Sequence, residues 1–165
     1  MLLRVSLAAV LVAGGLVGST SPASAAICET GSTVVSKTLS ATATYVGNAK
    51  NRVYGSRGGT ITIHAGESWT TTGTLTVSGT AAAGVVFANV SVTVGLSVAI
   101  AKQTTAGSSY AWKVPTTQAT GWVERGNRGY TGKFQTGYYK SPCTWVTTGS
   151  GTYKCPTGQT WYTHS

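Results

Sequence analysis

Aspartate is missing from this 165-residue chain, and three glutamates are its only acidic side chains against twelve Lys and Arg. Proton-transfer chemistry draws on acids and bases of both kinds, so enzymatic activity is not expected. A Ser-His-acid relay has no signature around any serine. Glu67 and Glu124 are the one conceivable glycosidase pair, but Glu67 sits in a Gly66-Glu67-Ser68 turn and Glu124 precedes Arg125, so surface ion pairing accounts better for both. No His or Cys spacing matches a zinc site, and no cofactor is expected. His64 reads as a solvated strand end and His164, beside the C-terminus, as frayed. Methionine occurs only as the initiator, and nothing after the N-terminal segment repeats apolar residues every 3.6 positions, so helix content should be close to nil.

The first 25 residues carry Arg4, an apolar run from Val5 to Val17 and the small-residue site Ala23-Ser24-Ala25. That combination describes a secretory signal, too short for a stable transmembrane helix, so residues 26 to 165 are expected to be secreted as a single domain. Three cysteines in an oxidising compartment imply one disulfide and one unpaired thiol. Cys143 can face Cys155 across a C-terminal hairpin turning at Thr148-Gly149-Ser150, or Cys28 can join one of the two. The odd thiol could link chains into an oligomer.

What is abundant is Thr, Val, Ser, Gly and Tyr, the composition of an all-β protein. Strand-like segments run over residues 36–46, 52–55, 60–65, 109–114, 121–125, 130–140 and 159–163, separated by turn signals such as Arg57-Gly58-Gly59. The expected class is a single-domain antiparallel sandwich or elongated sheet. Its longest pattern lies in residues 74–101. Leu75, Val77, Val85 and Phe87 alternate in one phase, then Val90, Val92, Val94, Leu96, Val98 and Ile100 in the other, which predicts a hairpin turning near Ala88-Asn89. Arms of about eleven residues suit either a sandwich core or a tilted membrane-crossing strand. The stretch from Ser68 to Ala101 carries no charge to guard an edge.

Aromatic and basic residues gather after Val114. Trp122, Arg125, Arg128, Tyr130, Lys133, Tyr138, Tyr139, Lys140, Trp145 and Lys154 are the candidate surface-binding set, since rings beside cations suit a headgroup layer or a sugar face. The basic balance favours anionic lipid or a cell-wall polymer; scattered cations on an exported chain make nucleic acid a poor fit.

The run Ser68-Trp69-Thr70-Thr71-Thr72, the alternating segment, the polar stretch Thr104 to Tyr110, and Trp112-Lys113-Val114-Pro115 followed by Gly121-Trp122-Val123 resemble a group of small secreted actinobacterial β-proteins of unknown function. The same order of residue classes resembles aerolysin-type β-pore-forming proteins. That second resemblance implies a Ser/Thr-rich hairpin that enters a bilayer. The expectation is a non-catalytic secreted protein that engages an anionic surface and is membrane-active through residues 74–101. The alternative is a structural or wall-associated protein in which that segment is core, and a wall-polysaccharide hydrolase is the remaining reading.

Overall fold

The computed structural model describes Gly31 and residues 33–165. The expected signal segment, Cys28 and Glu29 lie outside the described residues. The fold is all-β and antiparallel, as its composition implies, but it carries one helix where the sequence predicts almost none.

In chain order the strands are β1 (Val35–Thr38), β2 (Thr42–Ser56), β3 (Thr60–Ile63), β4 (Ser68–Thr72) and β5 (Thr74–Gly79). Helix α1 (Ala83–Val94) follows, then β6 (Ala101–Thr105), β7 (Tyr110–Lys113), β8 (Thr120–Lys140) and β9 (Thr144–His164). Segments that the sequence divides are continuous here: 121–125 and 130–140 merge into β8, and the cysteine segment and 159–163 merge into β9. These two 21-residue strands form one long hairpin, with Lys140 opposite Thr144 and Val123 opposite His164. β1 and β2 pair with the free side of β8, and β5 pairs with the free side of β9. Two small ribbons, β3–β7 and β4–β6, complete the molecule.

The expected Cys hairpin is therefore corrected. Thr148, Gly149 and Ser150 lie inside β9, and the turn falls instead at Ser141-Pro142-Cys143, where the Ser141–Pro142 peptide is cis and Cys143 has φ 79°. Cys155 is a free, buried thiol, so the Cys143–Cys155 bridge does not form. The physical reason is register: Cys155 stands opposite Tyr130 on β8, far along the strand from the turn that holds Cys143. The alternative pairing through Cys28 lies outside the described residues.

Two apolar clusters hold the sheet. In the first, Val86, Phe87 and Val90 of α1 close with Val98 over Phe134, Tyr153 and Cys155, with Leu75 and Val77 at the margins. Large rings on this face alternate with glycine. Tyr153 stands opposite Gly132 and Phe134 opposite Gly151, so each ring lies across a neighbouring backbone that has no side chain to obstruct it. A Cβ on Gly151 would come 3.1 Å from the Phe134 ring, and one on Gly132 would come 2.9 Å from the Tyr153 hydroxyl. In the second cluster, Ile61, Ile63, Trp69, Ala106, Val114 and Val123 pack at the other end, with Tyr110, Trp112 and Tyr162 against them. The buried phase of β8 switches between the two, from Val123 and Asn127 to Phe134 and Thr136, across an irregularity at Asn127/Gly129. A local break in the ladder lets one strand serve two cores.

The long insertion hairpin is also corrected. Residues 74–79 form β5 and pair with β9, while residues 83–94, carrying Val85, Phe87, Val90, Val92 and Val94, form α1. Of the supposed apolar phase, Val90 and Val98 are buried, yet Val92 is 82% and Ile100 45% exposed. A second period was hidden in the segment: Ala83, Val86, Phe87, Val90 and Val94 recur at helical spacing and make one stripe. Where nearly every other residue is apolar, both periods can be traced, and burial against Phe134 and Tyr153 decides between them. Two hydroxyls fit the helix by turning inward to its backbone, Ser91 Oγ donating to the Phe87 carbonyl and Thr93 Oγ1 to the Asn89 carbonyl, both at 2.9 Å. Asn89 Oδ1 accepts from Thr38 N at 2.8 Å and Thr38 Oγ1 at 2.7 Å, tying α1 to β1. Gly95, with φ 67°, ends the helix in the left-handed conformation that glycine enters without steric cost.

Candidate binding surface

Glu124 and Arg125 are consecutive on β8 and so project to opposite faces of the strand. On one face, Glu124 Oε2 accepts from Arg52 Nε at 2.7 Å and Oε1 from the Tyr45 hydroxyl at 3.1 Å. On the other, Arg125 Nη1 donates to Glu67 Oε2 at 2.7 Å. The two carboxylates considered as a glycosidase pair are thus each bound to an arginine and divided by the strand. Glu124 is 6% exposed, a burial that its two donors make tolerable. The Tyr45 phenol is pushed well above its usual range, first by burial and then by the Glu124 charge and hydrogen bond. The Arg52 guanidinium is raised, chiefly by its bond to Glu124.

Around Glu124 the exposed face is aromatic. The Arg52 guanidinium lies 4.0 Å from the Trp122 ring centre, and Tyr54, 61% exposed, is the cross-strand neighbour of Trp122. Trp161, 44% exposed, stands opposite Gly126, across whose backbone the Tyr45 ring lies. On the covered face, Tyr110 stacks on Tyr162 at 4.6 Å and Trp112 on His164 at 4.5 Å. His164 is therefore held at the end of β9 by a stacked ring and is not frayed. His64 is exposed, its backbone N–H donating to Glu67 Oε1 at 2.8 Å.

The two ion pairs consume both described glutamates. The other nine described cations, Lys37, Lys50, Arg57, Lys102, Lys113, Arg128, Lys133, Lys140 and Lys154, have no carboxylate partner among the described residues. Three of them share a face. Lys37 stands opposite Gln135, Lys133 opposite Thr152, and Lys154 opposite Thr131, so on the face turned away from α1 they step diagonally across β1, β8 and β9. Thr74 and Thr76 on β5 and Thr152 on β9 are exposed beside them. At the row's upper end the Lys37 ammonium sits 4.0 Å from the Trp145 ring centre and 4.7 Å from that of Tyr139, rings that themselves meet edge-on at 5.1 Å.

The candidate surface-binding set is divided by this arrangement. Lys133, Tyr139, Trp145 and Lys154 are brought together. Trp122 belongs to the distant aromatic face, and Tyr138 and Lys140 take the opposite strand phase at the hairpin end. Arg128 is exposed, across from Tyr45 on β2. Arg125 is corrected: committed to Glu67, with Trp69 under its guanidinium at 5.9 Å, it is not a free surface cation. Tyr130, half-buried, packs at the edge of the first cluster, on the face opposite the lysines. Sequence reasoning missed Lys37, Arg52, Tyr45 and Tyr54. The Arg52-Val53-Tyr54 alternation could have offered Arg52 and Tyr54, whereas nothing near Lys37 indicates its distant ring partners.

Among the described residues no three His, Cys, Asp or Glu side chains gather as a metal site, and no helix is long and apolar enough to cross a membrane. No protein-family model matches the chain, and no curated protein matches it.

Proposed function

We propose that this protein is a non-catalytic secreted protein that engages an anionic surface, lipid or cell-wall polymer. The observation that carries this reading is the charge balance in three dimensions: both described glutamates are bound to arginines, and the other nine described cations have no carboxylate partner among the described residues. Such a surface attracts anions over a Debye length of about 10 Å at 0.1 M salt. Cosedimentation with vesicles containing anionic lipid, with neutral vesicles, and retention on isolated cell wall test it. Recovery with an anionic matrix that salt reverses is expected; recovery with neutral vesicles alone, or with none, overturns it.

Membrane insertion is a second reading, favoured by the weakness of α1. Six of its twelve residues are β-branched, its N-cap Ala82 offers no side-chain bond, and neither end carries a charge that complements the helix dipole. Residues 74–101 would enter a bilayer only after α1 unfolds and pairs as strand. Dye release from anionic vesicles is then expected, and slower release by a variant with a strengthened helix. Vesicles that bind the protein and stay sealed contradict this reading while leaving surface engagement intact.

A further inference from the structure

The open face of the β1–β8–β9–β5 sheet is unusual in being charged in a single file. Lys37, Lys133 and Lys154 occupy three adjacent strands, each displaced two residues from the last along β8. Diagonal neighbours of this kind lie roughly 7–8 Å apart. Among the described residues no acidic side chain shares the face, and the neighbours of the row on β8 and β9 are hydroxyls and an amide, Thr131, Gln135, Ser150 and Thr152. Thr74 and Thr76 continue the hydroxyl field onto β5.

We infer that this row is a binding track for a linear polyol-phosphate polymer, one phosphodiester to each lysine; this rests on the proposed engagement of anionic surfaces and names its ligand class and site. A glycerol-phosphate unit spans six backbone bonds. At the advance of about 1.2 Å per bond implied by extended-chain geometry, its charges recur roughly every 7 Å, close to the lysine step. The exposed Thr74, Thr76 and Thr152 hydroxyls are suited to the polyol hydroxyls between phosphates, and their hydrogen-bonding capacity is unspent on other side chains. Tyr139 and Trp145 hold the Lys37 ammonium by its attraction to their faces, fixing the start of the row without neutralising it. A bilayer presents charge in two dimensions and rewards a field of exposed apolar side chains, whereas between Lys37 and Lys154 Leu39 is the lone described apolar residue exposed beside this single file, among neighbouring threonines. Single-stranded nucleic acid has a comparable phosphate step, but its bases require ring platforms, and none is exposed along that stretch.

The test is fluorescence-detected binding of poly(glycerol phosphate) to the full secreted chain, with single-stranded DNA and anionic vesicles as parallel arms. Two triple variants carry the same change in net charge: Lys37→Gln/Lys133→Gln/Lys154→Gln on the track, and Lys50→Gln/Arg57→Gln/Lys113→Gln off it. Thermal melts establish that both are folded. The track variant is expected to lose at least tenfold in affinity for poly(glycerol phosphate), and the off-track variant less than threefold. Thr152→Val, which removes no charge, is expected to weaken binding about threefold. Equal losses in the two triple variants overturn the track while leaving general anionic attraction standing. Binding of DNA or vesicles as tightly as the polymer, with the same dependence on the three lysines, overturns the polyol-phosphate assignment. Failure of the unmodified protein to bind any of the three probes removes the assignment and the proposed function together.

Discussion

Val90 and Val92 are two positions apart, share a face in any strand, and are separated in the folded protein by complete burial against 82% exposure. Val90→Ala should cost about 2 kcal/mol, from lost transfer energy and an unfilled space, whereas Val92→Ala should stay within about 0.5 kcal/mol. Equal costs in urea melts would contradict the helix. Cys155 offers a chemical measurement at the same scale. Burial pushes its thiol up to about 11 and is the main cause raising the Tyr153 phenol to about 12. Both groups are neutral in the fold and lose protons more readily when unfolded, so their contribution is intact below pH 9 and declines as pH rises through 9 to 12. The midpoint of thermal unfolding should be flat from pH 7 to 8.5 and fall by several degrees, on the order of 5 °C, by pH 11. Cys155 should also resist a thiol reagent at pH 8 until denaturant is added.

At the scale of the element, α1 shows where sequence and fold part company. Strand existence was legible because Thr and Ile alternate in β3, and the rings Tyr110 and Trp112 alternate with Ala111 and Lys113 in β7. The continuity of β8 and β9 was not, since Gly126, Gly129, Gly149 and Gly151 look like turn punctuation. In the sheet, glycines instead clear space for Tyr45, Val46 and Phe134 side chains from neighbouring strands. The residues of α1 satisfy two periods at once, and only the Phe134–Tyr153 surface, contributed from forty or more positions away, selects the helical one. Of the candidate surface, the C-terminal rings and lysines were legible as composition; their division between faces depends on register, which a single strand does not reveal. Gly84 gives a direct test. It lies in α1 with nothing within 4 Å of where a Cβ would stand, so Gly84→Ala should stabilise the protein by about 0.5–1 kcal/mol. A loss of stability would count against the helix.

For the whole molecule, the decisive property is the ratio of paired to unpaired charge. Arg52 and Arg125 take the two described glutamates at one end of the long hairpin, and the remaining described cations have no carboxylate partner among the described residues. Breaking a pair should therefore affect stability more than binding. Arg52→Gln leaves the buried Glu124 without its cation and should lower the midpoint of thermal unfolding, with anionic binding reduced only in proportion to one lost charge. The central claim, that uncompensated cations provide the protein's attachment, is tested most directly by measuring affinity for a single anionic polymer across salt concentration. With at least three lysines each meeting one phosphate, the logarithm of the association constant should fall with the logarithm of salt at a slope of about −2 or steeper. A slope near zero, at any affinity, would contradict the account.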